Sequence, residues 1–260
     1  MTPRGKRPPI GDPVIQRAFG LLAAFDADHR RLTLSELSDR AGTPPSSTYR
    51  LASQLIQCGA LERDDSGRYS IGVRLYEIAS LAPRGHGLRE AALPYMGDLA
   101  EATRQHVLLA VLDGDAAVLV ERLSGHEAMQ VLYRVGGRMP LHSTAVGQVL
   151  LAFSPPDFQE EYLQRPLSYQ PEQKPMSADE LRHALMNARR QHAVVVRRSR
   201  APEDTLAVAT PIFGADHSPV AALSLVVPDG SADAQRLILA LQTSALAISR
   251  GMGAERRAHG

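Results

Sequence analysis

The stretch from Leu32 to Gly72 leaves less freedom than any other part of this 260-residue chain. Two short runs of apolar and small residues, Leu34-Leu37-Ala41 and Thr48-Leu51-Ala52-Leu55, flank Gly42. At about 100° per residue each run forms one stripe of a helix. Thr33 or Ser35 supplies an N-cap for the first helix and Gly42 its stop. Gly42-Thr43 then makes a tight turn into the second, with Thr43 expected as its cap and Pro44 at the first helical position. An earlier run, Val14, Ala18, Leu21, Leu22 and Phe25, has the same spacing. The order helix, helix, turn, helix is a helix-turn-helix core.

The face opposite the packing stripe carries Ser46, Arg50, Ser53 and Gln54. Small hydroxyls near a helix N-terminus, followed by an arginine and an amide, suit base edges and phosphates in a DNA major groove. After Gly59, two short extended runs enclose Asp-Asp-Ser-Gly, a hairpin wing flanked by Arg63 and Arg68. The candidate DNA contacts are therefore Thr43, Ser46, Ser47, Thr48, Tyr49, Arg50 and Gln54 on the helix, with Arg63 and Arg68 on the wing. Formal net charge is only +1, but residues 1–86 hold 12 Lys+Arg against 9 Asp+Glu, so the basic excess lies beside this helix.

The length suffices for two domains. We expect a basic arm at 1–13, a winged helix-turn-helix at 14–74, a linker helix and boundary at 75–87 around Pro83-Arg84-Gly85, and a second domain at 88–252. In the second part, "VLLAVL" and "AAVLVERL" are joined by Asp113-Gly114-Asp115, which reads as a hairpin and not as a metal site. Further strands are expected at 128–135, 193–196, 206–213 and 221–228, and helices from Thr144, at 157–165, 178–191 and 232–250. This is an α+β domain with a mainly antiparallel sheet. Cys58, in the apolar setting "LIQCGAL", reads as a small buried hydrophobe; one cysteine excludes a disulfide framework within the chain and fits the cytoplasm. No run is long and apolar enough to span a membrane, and the N-terminus lacks the apolar core of a signal peptide.

The segment from Leu32 to Ile78 resembles the winged helix-turn-helix of the IclR family of bacterial transcription regulators. "GGRMPLHSTAVGQVLLA" looks like the opening of that family's effector-binding domain. The matching elements are Ser46 with Tyr49-Arg50-Leu51, Gly67-Arg68-Tyr69 with Gly72, and Pro140-Leu141-His142 with Gly147. The resemblance spans residues 14 to 250. It implies a C-terminal GAF-like α/β domain and a dimer or tetramer on a partly palindromic double-stranded DNA operator, with a small organic effector altering DNA affinity. No cofactor or metal is implied.

The resemblance also carries departures. Pro45 stands where the family often has lysine. Arg197 and Arg198 stand where it has acids, Asp204 where it has glycine, and Ala207 where it has cysteine. Ser224 keeps the first of two serines on the last strand, and Val226 replaces the second. The expected effector contacts are the backbone N–H groups of Ala145 and Val146 at a helix N-terminus, with Arg197, Leu206, Ala207, Ser224 and Val226. A carboxylate with a sizeable apolar or aromatic body suits such a lining. Two other readings compete: a DNA-binding head fused to a catalytic domain, with His142, Ser143 and Glu203 as an assembled triad, and a winged helix that docks protein instead of DNA. The triad residues have neither a nucleophile elbow nor a phosphate loop beside them, so no catalysis is expected.

Overall fold

The computed structural model describes residues 14–26, 28–81, 86–129, 133–167, 175–199 and 204–254. The chain divides after Ala82 into two compact units. The expected arm at 1–13 lies outside the described residues.

In the first unit, α1 (Val14–Ala23), α2 (Leu34–Ala41) and α3 (Pro45–Gln57) precede strands β1 (Leu61–Arg63) and β2 (Tyr69–Ile71) and helix α4 (Val73–Ser80). Thr33 caps α2 in a reciprocal box: its side chain accepts from the Glu36 N–H while a Glu36 carboxylate oxygen accepts from the Thr33 N–H at 2.7 Å. Gly42, at φ 60°, closes α2 in the left-handed region. Leu21, Leu32, Leu37, Leu51, Ala52, Leu61 and Tyr69 form the core. The hairpin pairs Leu61 with Ile71 and Arg63 with Tyr69, and Leu32 adds a two-bond bridge to Tyr69.

Two local expectations are corrected. Helix α3 starts at Pro45 with Pro44 as N-cap, and the Thr43 hydroxyl donates back to the Ala41 carbonyl. The reason is the double proline: a residue before proline is driven out of the helical region, and Pro44 sits at φ −54°, ψ 142°. Cys58 is exposed, because it lies one residue past the last turn of α3.

The second unit contains α5 (His86–Thr103), β3 (His106–Asp113), β4 (Ala116–Ser124), β5 (Arg138–Pro140), α6 (Ala145–Ala152), α7 (Pro156–Leu163), α8 (Ala178–Gln191), β6 (Val194–Arg198), β7 (Thr205–Phe213), β8 (Pro219–Pro228) and α9 (Ala234–Gly251). One antiparallel sheet runs in the order β5-β4-β3-β8-β7-β6. Helices α5 and α9 cover one face through Met96, Leu241 and Ile248 against Leu109, Leu206, Val208 and Leu225. Helices α6 and α8 cover the other through Val149, Leu150, Leu181 and Leu185 against Leu108, Ala110, Ala209 and Ala222. Strands between two helical layers are apolar on both sides, which is why β3 reads as a continuous apolar run. Asp113 and Asp115 flank the β3–β4 turn and pair with Arg138 and Arg165.

Of the strand expected at 128–135, Ala128, Met129 and Tyr133–Val135 do not enter the ladder, and 130–132 lie outside the described residues. The free edge of β4 is taken instead by Gly136 and Gly137, which bond both ways with Leu119, and by β5. Among the described residues no helix is long and apolar enough to cross a membrane.

Candidate functional site

Helix α3 has two unlike faces. Thr48, Leu51 and Ala52 are buried against the core, while Ser46, Tyr49, Arg50 and Gln54 are exposed and Ser47 and Thr43 are partly so. Thr48 is thereby corrected as a candidate DNA contact. It occupies the packing stripe, and its hydroxyl donates to the Thr43 carbonyl at 3.1 Å. The helix holds no acidic residue, so Arg50 and the hydroxyls present donors without a competing carboxylate on α3.

On the wing, Asp64 accepts from the Ser66 hydroxyl and from the N–H groups of Ser66 and Arg68. These bonds hold its carboxyl below the usual carboxylate range, the Ser66 hydroxyl most of all. The Arg63 guanidinium lies 5.4 Å from the Tyr69 ring centroid and donates to the Gly67 carbonyl. Arg68, at 4.0 Å from Glu36, stays exposed.

The residues expected to line an effector site lie in the other unit, on and around the sheet face under α6. Strand registers place Ser124, His106, Val226, Ala207 and Val196 in one row across β4, β3, β8, β7 and β6. The next row contains Ser224, paired with Leu108. Gly147 lets the Pro140-Leu141 segment pack directly against α6: a Cβ there would sit 2.5 Å from the Pro140 carbonyl. Thr144 caps α6, accepting from the Gly147 N–H and donating to Pro140. Gln148 donates to the His142 carbonyl and Arg198 to the Ser143 carbonyl, each at 2.8 Å. The first-turn N–H groups of Ala145 and Val146 have no partner within the helix.

Strand alternation divides the expected lining residues. Ala207, Ser224 and Val226 share the α6 face, and Leu206 does not: it packs with Leu225 and Val208 beneath α5 and α9. Arg197 is likewise corrected. It is exposed on the side of β6 away from α6, with its Nε 3.3 Å from an Asp229 carboxylate oxygen. Its neighbour Arg198 takes the inner position, with its guanidinium 5.9 Å from the Tyr133 ring centroid. Arg122 donates to the Tyr133 carbonyl at 3.0 Å.

His106 is buried, and burial foremost, with the nearby Arg122 charge, pushes its pKa down, while the bond to Met129 acts the other way. The ring is therefore neutral near pH 7. Its Nε2 faces the Met129 carbonyl and so carries the proton, leaving Nδ1 to accept from the Ser124 hydroxyl. Arg122, Tyr133 and His106 are not among the residues expected from sequence, and Arg198 stands there only as a departure from the family pattern. Period-2 spacing with Val194 and Val196 was the available signal for Arg198.

Of the residues assembled on paper as a triad, His142 bonds the Tyr162 hydroxyl at 2.8 Å and the Ser143 carbonyl holds Arg198; Glu203 lies outside the described residues.

Comparison with known proteins matches both units. Residues 14–65 match the IclR helix-turn-helix domain and residues 82–250 the bacterial transcriptional regulator IclR C-terminal family. The chain is 29% identical to the transcriptional regulator KipR of Bacillus subtilis, covering 85% of this chain and 90% of that protein. It is also 29% identical to the glycerol operon regulatory protein of Streptomyces coelicolor, covering 93% and 97%. Among solved structures, an IclR homolog from Microbacterium hydrocarbonoxydans complexed with 4-hydroxybenzoate is 32% identical, with a TM-score of 0.85 over 92% of this chain and 99% of that one. A two-faced third helix beside a wing, a GAF-like sheet under a capped helix, and family matches over both units together make this chain a member of the IclR family of bacterial transcription regulators.

Proposed function

We propose that the chain binds an operator as a homodimer or homotetramer and changes its DNA affinity when a small organic carboxylate binds between α6 and the sheet. It does so in the cytoplasm without catalysis. The observation that carries the DNA reading is the partition of α3, with Leu51 and Ala52 buried and Arg50 and Gln54 exposed. Ser46, Ser47, Tyr49, Arg50 and Gln54 then face a major groove, and Arg63 and Arg68 the phosphates. Two heads are needed for two half-sites about 34–36 Å apart. The apolar side chains left exposed on α4 and its C-cap, Val73, Tyr76, Ile78 and Leu81, support pairing between copies. Residues 14–74 form the DNA-binding part, 75–87 the connection and 88–252 the effector and assembly part.

The effector reading is supported by the relative that holds 4-hydroxybenzoate and by the cationic groups about a floor of Val226, Ala207 and Val196. DNA and effector affinities are then coupled reciprocally, typically by about 1–3 kcal/mol. An electrophoretic mobility shift on DNA upstream of the protein's own gene, with excess competitor DNA, tests the reading. Specific retardation and footprinted half-sites one turn apart are expected. Absence of specific retardation at low salt would favour the protein-docking alternative.

A further inference from the structure

Two adjacent arginines on β6 meet different electrostatic fates. Arg197 is offset by Asp229, whereas Arg198 has no acidic partner among the described residues. Arg198 lies instead at the positive end of α6, through its bond to the Ser143 carbonyl, and over the Tyr133 ring. Arg122, also without an acidic side-chain partner among the described residues, donates to the carbonyl of that same tyrosine. The Tyr133 hydroxyl is buried and has no hydrogen-bond partner among the described residues. A buried hydroxyl left unpaired is costly, and a guanidinium held partly buried with no acid beside it adds to the cost. One anion relieves both: a carboxylate has two oxygens and about four acceptor positions.

We infer that Arg198 and Tyr133 are the specificity-determining residues of this site, both donating to the carboxylate of an aromatic acid. The guanidinium retains several N–H donors after its bond to Ser143 and can meet the carboxylate side-on. The tyrosine hydroxyl supplies a further donor, and Arg122 is a positioning residue that holds the Tyr133 backbone. Beyond the charged end, Ala207 and Val226 replace larger or polar side chains with a flat apolar floor. The span from β6 to β8, two strand spacings or about 10 Å, fits a benzene ring with its carboxylate. This inference rests on the effector reading given above.

Calorimetric titration of the full-length protein with benzoate, 4-hydroxybenzoate and the neutral 4-hydroxybenzamide tests it. Wild type is expected to prefer the acids to the amide. Arg198→Gln should weaken 4-hydroxybenzoate binding by about tenfold or more and leave the amide unchanged, so that the preference collapses. Arg198→Lys should recover part of it. Tyr133→Phe should weaken the acids by about three- to tenfold, and Arg197→Gln should change nothing. Thermal melts and operator binding establish that each variant is folded. Unchanged acid affinity in Arg198→Gln, or equal losses for acid and amide, overturns the assignment while leaving the effector reading intact. A wild-type protein that binds operator but none of the acids at millimolar concentration overturns both.

Discussion

The buried hydroxyl of Thr48 and the carbonyl of Thr43 are joined at 3.1 Å, and the Ser38 hydroxyl reaches the same carbonyl at 2.6 Å. The turn between α2 and α3 is thus tied from both helices at one oxygen. Thr48→Val keeps the shape and removes one tie, so it should cost about 0.5–1.5 kcal/mol of stability in the first unit by urea denaturation. Operator affinity of the folded variant should be unchanged; a selective loss of affinity would restore Thr48 as a DNA contact.

Arg50 is exposed on a helix without carboxylates. Arg50→Ala should lower operator affinity by about 1–3 kcal/mol if the guanidinium reads a base. A phosphate contact would instead weaken all sequences alike and make the salt dependence shallower. Unchanged operator binding by both Arg50→Ala and Gln54→Ala, measured by fluorescence anisotropy, would remove α3 as the reading element.

Asp26 accepts from the His29 ring and from the N–H groups of Asp28 and His29, and pairs with Arg40. The His29 side chain above all holds its carboxyl down to about 2. A pKa lower in the folded than in the unfolded state stabilises fully above the ordinary carboxylate range and is lost as pH falls through the folded value. The stability deficit of Asp26→Asn should therefore shrink as pH falls from about 5 toward 2. A deficit independent of pH in chemical denaturation would contradict the assignment.

Gly147 admits no side chain, with the Thr144 hydroxyl 2.5 Å and the Leu141 Cα 2.6 Å from a built Cβ. Gly147→Ala should lower the second unit's stability by about 1–3 kcal/mol and impair 4-hydroxybenzoate binding by pushing α6 and the Pro140–Thr144 segment apart. Wild-type melting and binding would show that the approach is looser than described.

Tyr76 and Leu81 are 73% and 80% exposed. If copies pair through this face, Tyr76→Glu with Leu81→Glu should shift the mass by light scattering toward the monomer at micromolar concentration. An unchanged oligomer would locate the interface elsewhere.

What was legible in the sequence was local. Capping at Thr33, the stop at Gly42, the two stripes and the Asp-Gly hairpin depend on neighbours within a few residues. Thr48 shows periodicity outranking polarity: a hydroxyl in the apolar stripe is core. The start of α3 was misplaced because the second proline of a pair acts on the first. Only the two ends of the strand expected at 128–135 are described, and neither enters the ladder; the β4 edge at Leu119 is taken by Gly136 and Gly137, which sequence spacing does not reveal. Arg197 and Arg198 could be separated by alternation alone, yet which one faces α6 depends on where that helix packs.

The strand order of the second unit also governs when it can exist. His106 pairs with Val226, 120 residues later, so the centre of the sheet is closed by its last strand. The first unit, by contrast, is assembled from contacts within some sixty described residues. Pairings that distant are slow to form, and domains complete in order of emergence during synthesis. The helix-turn-helix therefore matures on the ribosome while β3 still waits for β8. The core beneath the DNA-facing helix is thus complete before the sheet of the second unit can close.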